Sequence, residues 1–207
     1  MRIKICGIMS PEDRDAAIAA GADALGFVLC ERSRRALSLT QLVELLAGMP
    51  PFVQSVGLFL DPTAEWVRQV VTLAPIDLLQ FHGNEAAAFC RDFDRPYIKS
   101  VPMATVTDPQ AYMNQYPEAR GFLFDSNALS EAGGSGKRFD WTRCPRNTAK
   151  PVVLAGGLNA ANVAEAIRIV RPFAVDVSSG VERSPGVKHA AGLRAFCRAA
   201  RGAFVGC

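Results

Sequence analysis

Histidine is the scarcest of the catalytic residue types in this chain: only His82 and His189 occur, so a three-histidine metal site is excluded. The six cysteines, Cys6, Cys30, Cys90, Cys144, Cys197 and Cys207, are widely spaced and form no Cys-x-x-Cys pair. That spacing argues against a zinc site or a disulfide framework and for reduced thiols, hence a cytoplasmic protein. Long apolar runs are missing too; no stretch approaches the roughly 20 residues of a membrane span. Met1-Arg2-Ile3-Lys4 leads straight into a strand pattern and does not read as a signal peptide. Basic clustering is slight, with a net charge of +3 and no basic run longer than Arg34-Arg35, so charge gives no reason to expect nucleic acid as a partner. The first strand is not followed by G-x-G-x-x-G, which excludes the dinucleotide-binding fingerprint.

What the chain has is alternation. β-like runs begin near Ile3, Ala24, Val53, Ile76, Tyr97, Gly121, Val152 and Ala174, with helical patterns between them. Eight such units in 207 residues, without a linker or a break in composition, predict one (β/α)8 TIM barrel over residues 1–207. An open doubly wound sheet is the alternative. The apolar content of 49% is enough to fill a sizeable core. Helix starts are signed by Ser10-Pro11-Glu12-Asp13, by the cap-then-proline pairs Asp61-Pro62 and Asp108-Pro109, and by Asn159 ahead of Ala160 to Val170; Gly21 closes the first helix.

The first strand, Arg2 to Ile8, carries Ile3 and Ile5 on one face and Lys4 and Cys6 on the other. In a closed barrel it neighbours the last strand, so Lys4 and Asp176 are expected to form a buried ion pair. Gln80 and His82 share a face of the fourth strand, which suggests a wet upper interior and makes His82 a pocket-lining candidate. Cys6, at the carboxyl end of its strand, is where such folds place chemistry, although a lone thiol is more often a packed core residue. Asp125 ends the sixth strand, ahead of the glycine-rich Gly133-Gly134-Ser135-Gly136-Lys137. An acid there faces Cys6 across the barrel mouth; capping of a loop is the simpler role. Arg35 sits in the loop after the second strand, placed either for a carboxylate or for solvent. Two late strand ends, Ala155-Gly156-Gly157-Leu158-Asn159 and Ser178-Ser179-Gly180, have the character of a phosphate site on strands seven and eight.

Taken in order, several of these stretches resemble the phosphoribosylanthranilate isomerase family of tryptophan biosynthesis. They are Lys4-Ile5-Cys6-Gly7-Ile8, Gly26-Phe27-Val28, Val56-Gly57-Leu58-Phe59, Leu79-Gln80-Phe81-His82-Gly83, Gly133-Gly134-Ser135-Gly136 with Phe139-Asp140-Trp141, Ala155 to Asn159, and Val175 to Glu182. The resemblance spans nearly the whole chain. It implies a ribulose-phosphate-binding barrel that isomerises N-(5-phosphoribosyl)anthranilate to 1-(2-carboxyphenylamino)-1-deoxyribulose 5-phosphate, as a monomer or homodimer, without metal or cofactor. By resemblance Cys6 is the general base, Asp125 the general acid and Arg35 the contact to the anthranilate carboxylate. Gly156, Gly157, Ser179 and Gly180 lie in the phosphate site. Two departures stand out. Arg34 occupies a position where the family often has proline, which leaves both Arg34 and Arg35 as candidates for the carboxylate, and His189 replaces a frequent aspartate. A different sugar-phosphate barrel enzyme and a non-catalytic phosphate-binding barrel are the competing readings.

Overall fold

The computed structural model describes residues 1–127 and 138–204, so Gly133 to Lys137 lie outside the described residues. Eight parallel strands close into a barrel in sequence order: β1 (Arg2–Cys6), β2 (Ala24–Val28), β3 (Gln54–Phe59), β4 (Leu78–Phe81), β5 (Tyr97–Pro102), β6 (Gly121–Asp125), β7 (Val152–Leu154) and β8 (Ala174–Val177). The ring closes between β1 and β8 with Lys4 opposite Asp176. The barrel expected from eight alternating units is therefore the fold, and the open sheet is not. A small hairpin, β9 (Glu182–Ser184) and β10 (Val187–Lys188), follows β8.

The outer layer comprises α1 (Pro11–Ala19), α2 (Leu39–Ala47), α3 (Ala64–Leu73), α4 (Ala87–Cys90), α5 (Pro109–Asn114), α6 (Val163–Val170) and α7 (Ala190–Phe204). Between β6 and β7 the described residues hold only a short 3-10 turn, Trp141–Arg143. Among the described residues no helix is long and apolar enough to cross a membrane. Ser10 caps α1 as expected and Asp108 caps α5, each accepting from a backbone N–H three residues on. The α1 C-terminus is a Schellman turn, with Gly21 N–H on Ile18 O and Ala22 N–H on Ala17 O. Two caps differ from expectation. Thr63, not Asp61, caps α3, and Asp61 instead accepts from the Asn84 N–H, tying the ends of β3 and β4 together. Helix α6 starts at Val163, because Asn159 and Asn162 form a turn of their own. Asn162 accepts from the Asn159 N–H and donates to Gly157 O, so these side chains shape the Gly156-Gly157 loop.

Strand alternation divides the core. Ile3, Ile5, Phe27, Phe59, Phe81 and Phe122 face outward into one large cluster with the helices. Inside the barrel, Ile98, Leu123 and Ala155 form a separate apolar plug with Leu78 and Val153. Above that plug the interior turns polar, and there the cavity opens. A buried ion pair lies outside this pattern. Lys99 is fully buried on the outer face of β5, bonded to Gly83 O at 2.6 Å and to Glu85 Oε2 at 3.1 Å. Glu85 in turn accepts from the N–H groups of Asp61 and Gly83. Removing one partner of a buried pair leaves the other charge uncompensated. Lys99→Met is expected to lower unfolding free energy by about 3 kcal/mol in urea titration, and adding Glu85→Leu should recover part of it. An unchanged midpoint in Lys99→Met would contradict the pairing.

Candidate active site

Every sequence-nominated site residue reaches the carboxyl-end face of the barrel. One cavity is lined by Cys6, Arg35, Gln80, His82, Asp125, Asp176 and Ser178, and by an apolar wall of Val28, Leu58 and Leu60. A second, adjoining cavity is lined by Gly156, Gly157, Ser178, Ser179 and Gly180, and shares Asp125, Asp176 and Ser178 with the first. Two glycines are required by close approach. A Cβ at Gly180 would lie 1.9 Å from Leu158 O, so only glycine lets the loop after β8 close on the loop after β7. A Cβ at Gly26 would sit 2.8 Å from Cys6 Sγ and 2.9 Å from Lys4 Nζ, and its absence makes room for both groups on the neighbouring strand.

Cys6 is 5% exposed. Beneath it Lys4 Nζ bonds Asp176 Oδ1 at 2.9 Å, the pair expected from barrel closure. Burial pushes the Cys6 thiol above its ordinary value, Lys4 and Lys188 pull it down, and Asp176 adds to the rise. Burial lowers the Lys4 ammonium's proton affinity, but Asp176 and Cys6 outweigh that and hold it above the ordinary value. Lys4 is therefore a fixed cation, largely spent on Asp176, and burial keeps the thiol protonated.

Asp125 is 9% exposed and shifts in the direction an acid needs. Burial raises its carboxyl, while the Asn127 N–H at 3.2 Å and the Ser126 hydroxyl at 3.4 Å oppose the rise. His82 Nε2 lies 3.9 Å from Asp125 Oδ2. Burial first, and then Lys99, pushes the His82 imidazole down to about 4, so the ring is neutral near pH 7 and the contact is not an ion pair. Its Nδ1 lies 2.7 Å from the Ser100 hydroxyl and 3.4 Å from Gln80 Nε2, and its Nε2 lies 3.5 Å from Asn127 Nδ2.

At the mouth, Arg35 and not Arg34 enters the cavity; Arg34 is exposed. The Arg35 guanidinium donates through Nε at 2.7 Å and Nη2 at 2.8 Å to the two oxygens of Glu182. This fork fixes its plane and leaves the Nη1 edge for an anion. Burial pushes the Glu182 carboxyl up, but Arg35 and Lys188 together hold it below its ordinary range. Lys188 is 5% exposed and donates to Cys6 O at 2.6 Å, Ser178 O at 3.3 Å and Glu182 Oε1 at 2.9 Å, joining the ends of β1 and β8 to the hairpin. Sequence reasoning did not assign roles to Glu182 or Lys188. Glu182 ends a quoted segment, but nothing local to it signals a partner 147 residues away.

A family model described as N-(5'phosphoribosyl)anthranilate (PRA) isomerase matches residues 3–199. A Halorhodospira halophila protein named N-(5'-phosphoribosyl)anthranilate isomerase is 50% identical over 187 residues, which is 90% of either chain. The solved phosphoribosyl anthranilate isomerase from Thermotoga maritima superposes with a TM-score of 0.87 at 38% identity, covering 98% of this chain and 99% of that one. A phosphoribosyl anthranilate isomerase in complex with reduced 1-(o-carboxyphenylamino)-1-deoxyribulose 5-phosphate superposes with a TM-score of 0.83 at 34% identity, over 98% and 99% of the two chains.

Proposed function

The chain belongs to the N-(5'-phosphoribosyl)anthranilate isomerase family, and from that premise we propose how its own residues isomerise N-(5-phosphoribosyl)anthranilate to 1-(2-carboxyphenylamino)-1-deoxyribulose 5-phosphate in tryptophan biosynthesis. The observation that carries the reading is the meeting of Cys6, Asp125 and Arg35 in one cavity that adjoins the paired glycine loops. In this reading residues 1–207 act as one barrel unit.

The substrate phosphate lies against the backbone around Gly156, Gly157, Ser179 and Gly180, where free N–H groups offset its charge. The aryl ring packs on Val28, Leu58 and Leu60, and its carboxylate meets the free edge of Arg35. The pentose is then held over Cys6 and Asp125. Asp125 gives its proton to the furanose oxygen; the C1′–O bond breaks and the ring opens to an iminium. Cys6 as thiolate takes the C2′ proton, and the electron pair left behind neutralises the iminium as an enolamine. Transfer of the enol proton to C1′ then gives the ketone. Atoms and electrons balance without oxidant or metal. His82, neutral, orients the Asp125 carboxyl.

The direct test is the loss of phosphoribosylanthranilate fluorescence on adding the purified chain; no turnover would refute the reading. Arg35 also makes a separable prediction. Glu182→Gln removes a charge that holds the guanidinium plane, so KM is expected to rise roughly 10-fold with a smaller change in kcat. A fall in kcat at constant KM would place Glu182 in the proton transfers instead.

A further inference from the structure

Buried polar atoms are almost always paired, because an unpaired one costs about 1–3 kcal/mol. Among the described residues, Gln80 Oε1 and Ser178 Oγ are buried polar atoms without a hydrogen-bond partner, and both belong to side chains that line the principal cavity. Gln80 is 1% exposed on β4, and its amide is oriented by its surroundings. His82 Nε2 lies 3.5 Å from Asn127 Nδ2 and 3.9 Å from the Asp125 carboxyl, and its Nδ1 lies 2.7 Å from the Ser100 hydroxyl. Gln80 places its NH2 3.4 Å from Nδ1, which leaves Oε1 without a partner on a side chain that lines the cavity. That carbonyl can only accept. The same cavity holds the Cys6 thiol and the Asp125 carboxyl, and Asp176 opposite is already bonded to Lys4.

We propose that Gln80 is a substrate-contacting residue whose Oε1 accepts a hydrogen bond from the C3′ hydroxyl of the pentose, so that this side chain reads the sugar. The inference rests on the isomerase reading above and deepens it. The chemistry selects the hydroxyl. The C2′ oxygen starts as a hydroxyl and ends as the ketone, so it loses its donor during the reaction. The C4′ oxygen is the ring ether in the substrate and acquires a proton only on opening. The arylamine N–H already faces the ortho carboxylate of its own ring. The C3′ hydroxyl alone keeps a free donor from substrate through enolamine to product, and an acceptor-only, buried carbonyl suits a group that never changes. A site built to bond a hydroxyl also rejects the analogue lacking it, because the protein group is then left unpaired. Ser178, at the junction of the two cavities, remains available to the phosphate end of the same chain.

The test compares wild type with Gln80→Leu and uses two ligands, the reduced secondary-amine product analogue with and without its C3 hydroxyl. Wild type is expected to bind the hydroxylated analogue at least 10-fold more tightly, and Gln80→Leu to bind both alike. Turnover of phosphoribosylanthranilate in Gln80→Leu is expected to fall roughly 10- to 100-fold in kcat/KM. Its thermal midpoint should not fall, since an apolar group replaces an unpaired carbonyl. Equal binding of the two analogues by wild type overturns the proposal, and this arm does not depend on the variant folding. Lost turnover in Gln80→Leu with wild-type discrimination between the analogues also overturns it, assigning Gln80 to positioning His82. A wild-type enzyme without turnover would instead sink the isomerase reading itself.

Discussion

Replacing Asp125 with asparagine is expected to lower kcat about 10²–10⁴-fold while product binding survives. Asparagine keeps the shape and can still accept from the Asn127 N–H, but it has no proton to give the ring oxygen. The pH profile separates this from a general loss of fit. The active form carries a protonated Asp125 and an ionised Cys6, the reverse of the order set by the ordinary pKa values of about 3.9 and 8.5. Burial raises both groups. Log kcat/KM then climbs up to the Asp125 pKa, stays level between the two, and falls above the Cys6 pKa. In Asp125→Asn the lower break disappears, and the residual rate should climb without interruption to the Cys6 pKa. A lower break that persists in the variant would assign it to another group. Stability adds an independent sign. Asp125 holds its proton to higher pH in the folded chain than in the unfolded one. Its stabilising contribution is thus complete below the unfolded carboxyl range and is lost as pH rises through the folded pKa. An asparagine side chain cannot ionise, so the thermal midpoint of Asp125→Asn near pH 7 should equal or exceed that of wild type even as activity collapses.

Cys6→Ala is the second large effect, again about 10²–10⁴-fold in kcat with little change in product affinity, because the base for the C2′ proton is gone. Here the upper break is the one that vanishes, and residual rate should decline steadily above the Asp125 pKa. Near-normal turnover would return Cys6 to a packing role. Cys6→Ser is expected to recover little, since an aliphatic hydroxyl at this site holds its proton far more tightly than a thiol. Burial makes the thiolate costly to form. Lys4, the nearest cation below it, is bonded to Asp176 at 2.9 Å, and Lys188 is bonded to the Cys6 carbonyl and to Glu182. Each lysine therefore lends Cys6 only part of its charge, which explains why burial dominates the thiol.

Much of this was legible in the residues alone. The period of eight strand-and-helix units implies the barrel, because short parallel strands with helical crossovers close at that number. Closure makes β1 and β8 neighbours, and so Lys4 and Asp176 could be paired across 172 residues from the chain alone. Alternation along β1, β4 and β6 aimed Cys6, Gln80, His82 and Asp125 into the barrel. The cap assignment at Asp61 failed because its side chain found a partner at another strand end, Asn84, and that at Asn159 because its side chain closes a local turn with the Ala161 N–H ahead of α6.

The electrostatic state of the site could be decided only by tertiary structure. That Arg35 and not Arg34 enters the cavity depends on how the loop after β2 meets the hairpin after β8, and Glu182 selects it with both oxygens. Lys188 reaches the Cys6 carbonyl from 182 residues away, and Lys99 acts on His82 from the far face of β5. The physical reason is the range of the interactions. Strand and helix patterns are set by neighbours within a few residues, and can be read along a chain. A proton's affinity is set by burial and by charges a few ångströms off, and only the closed barrel brings those together.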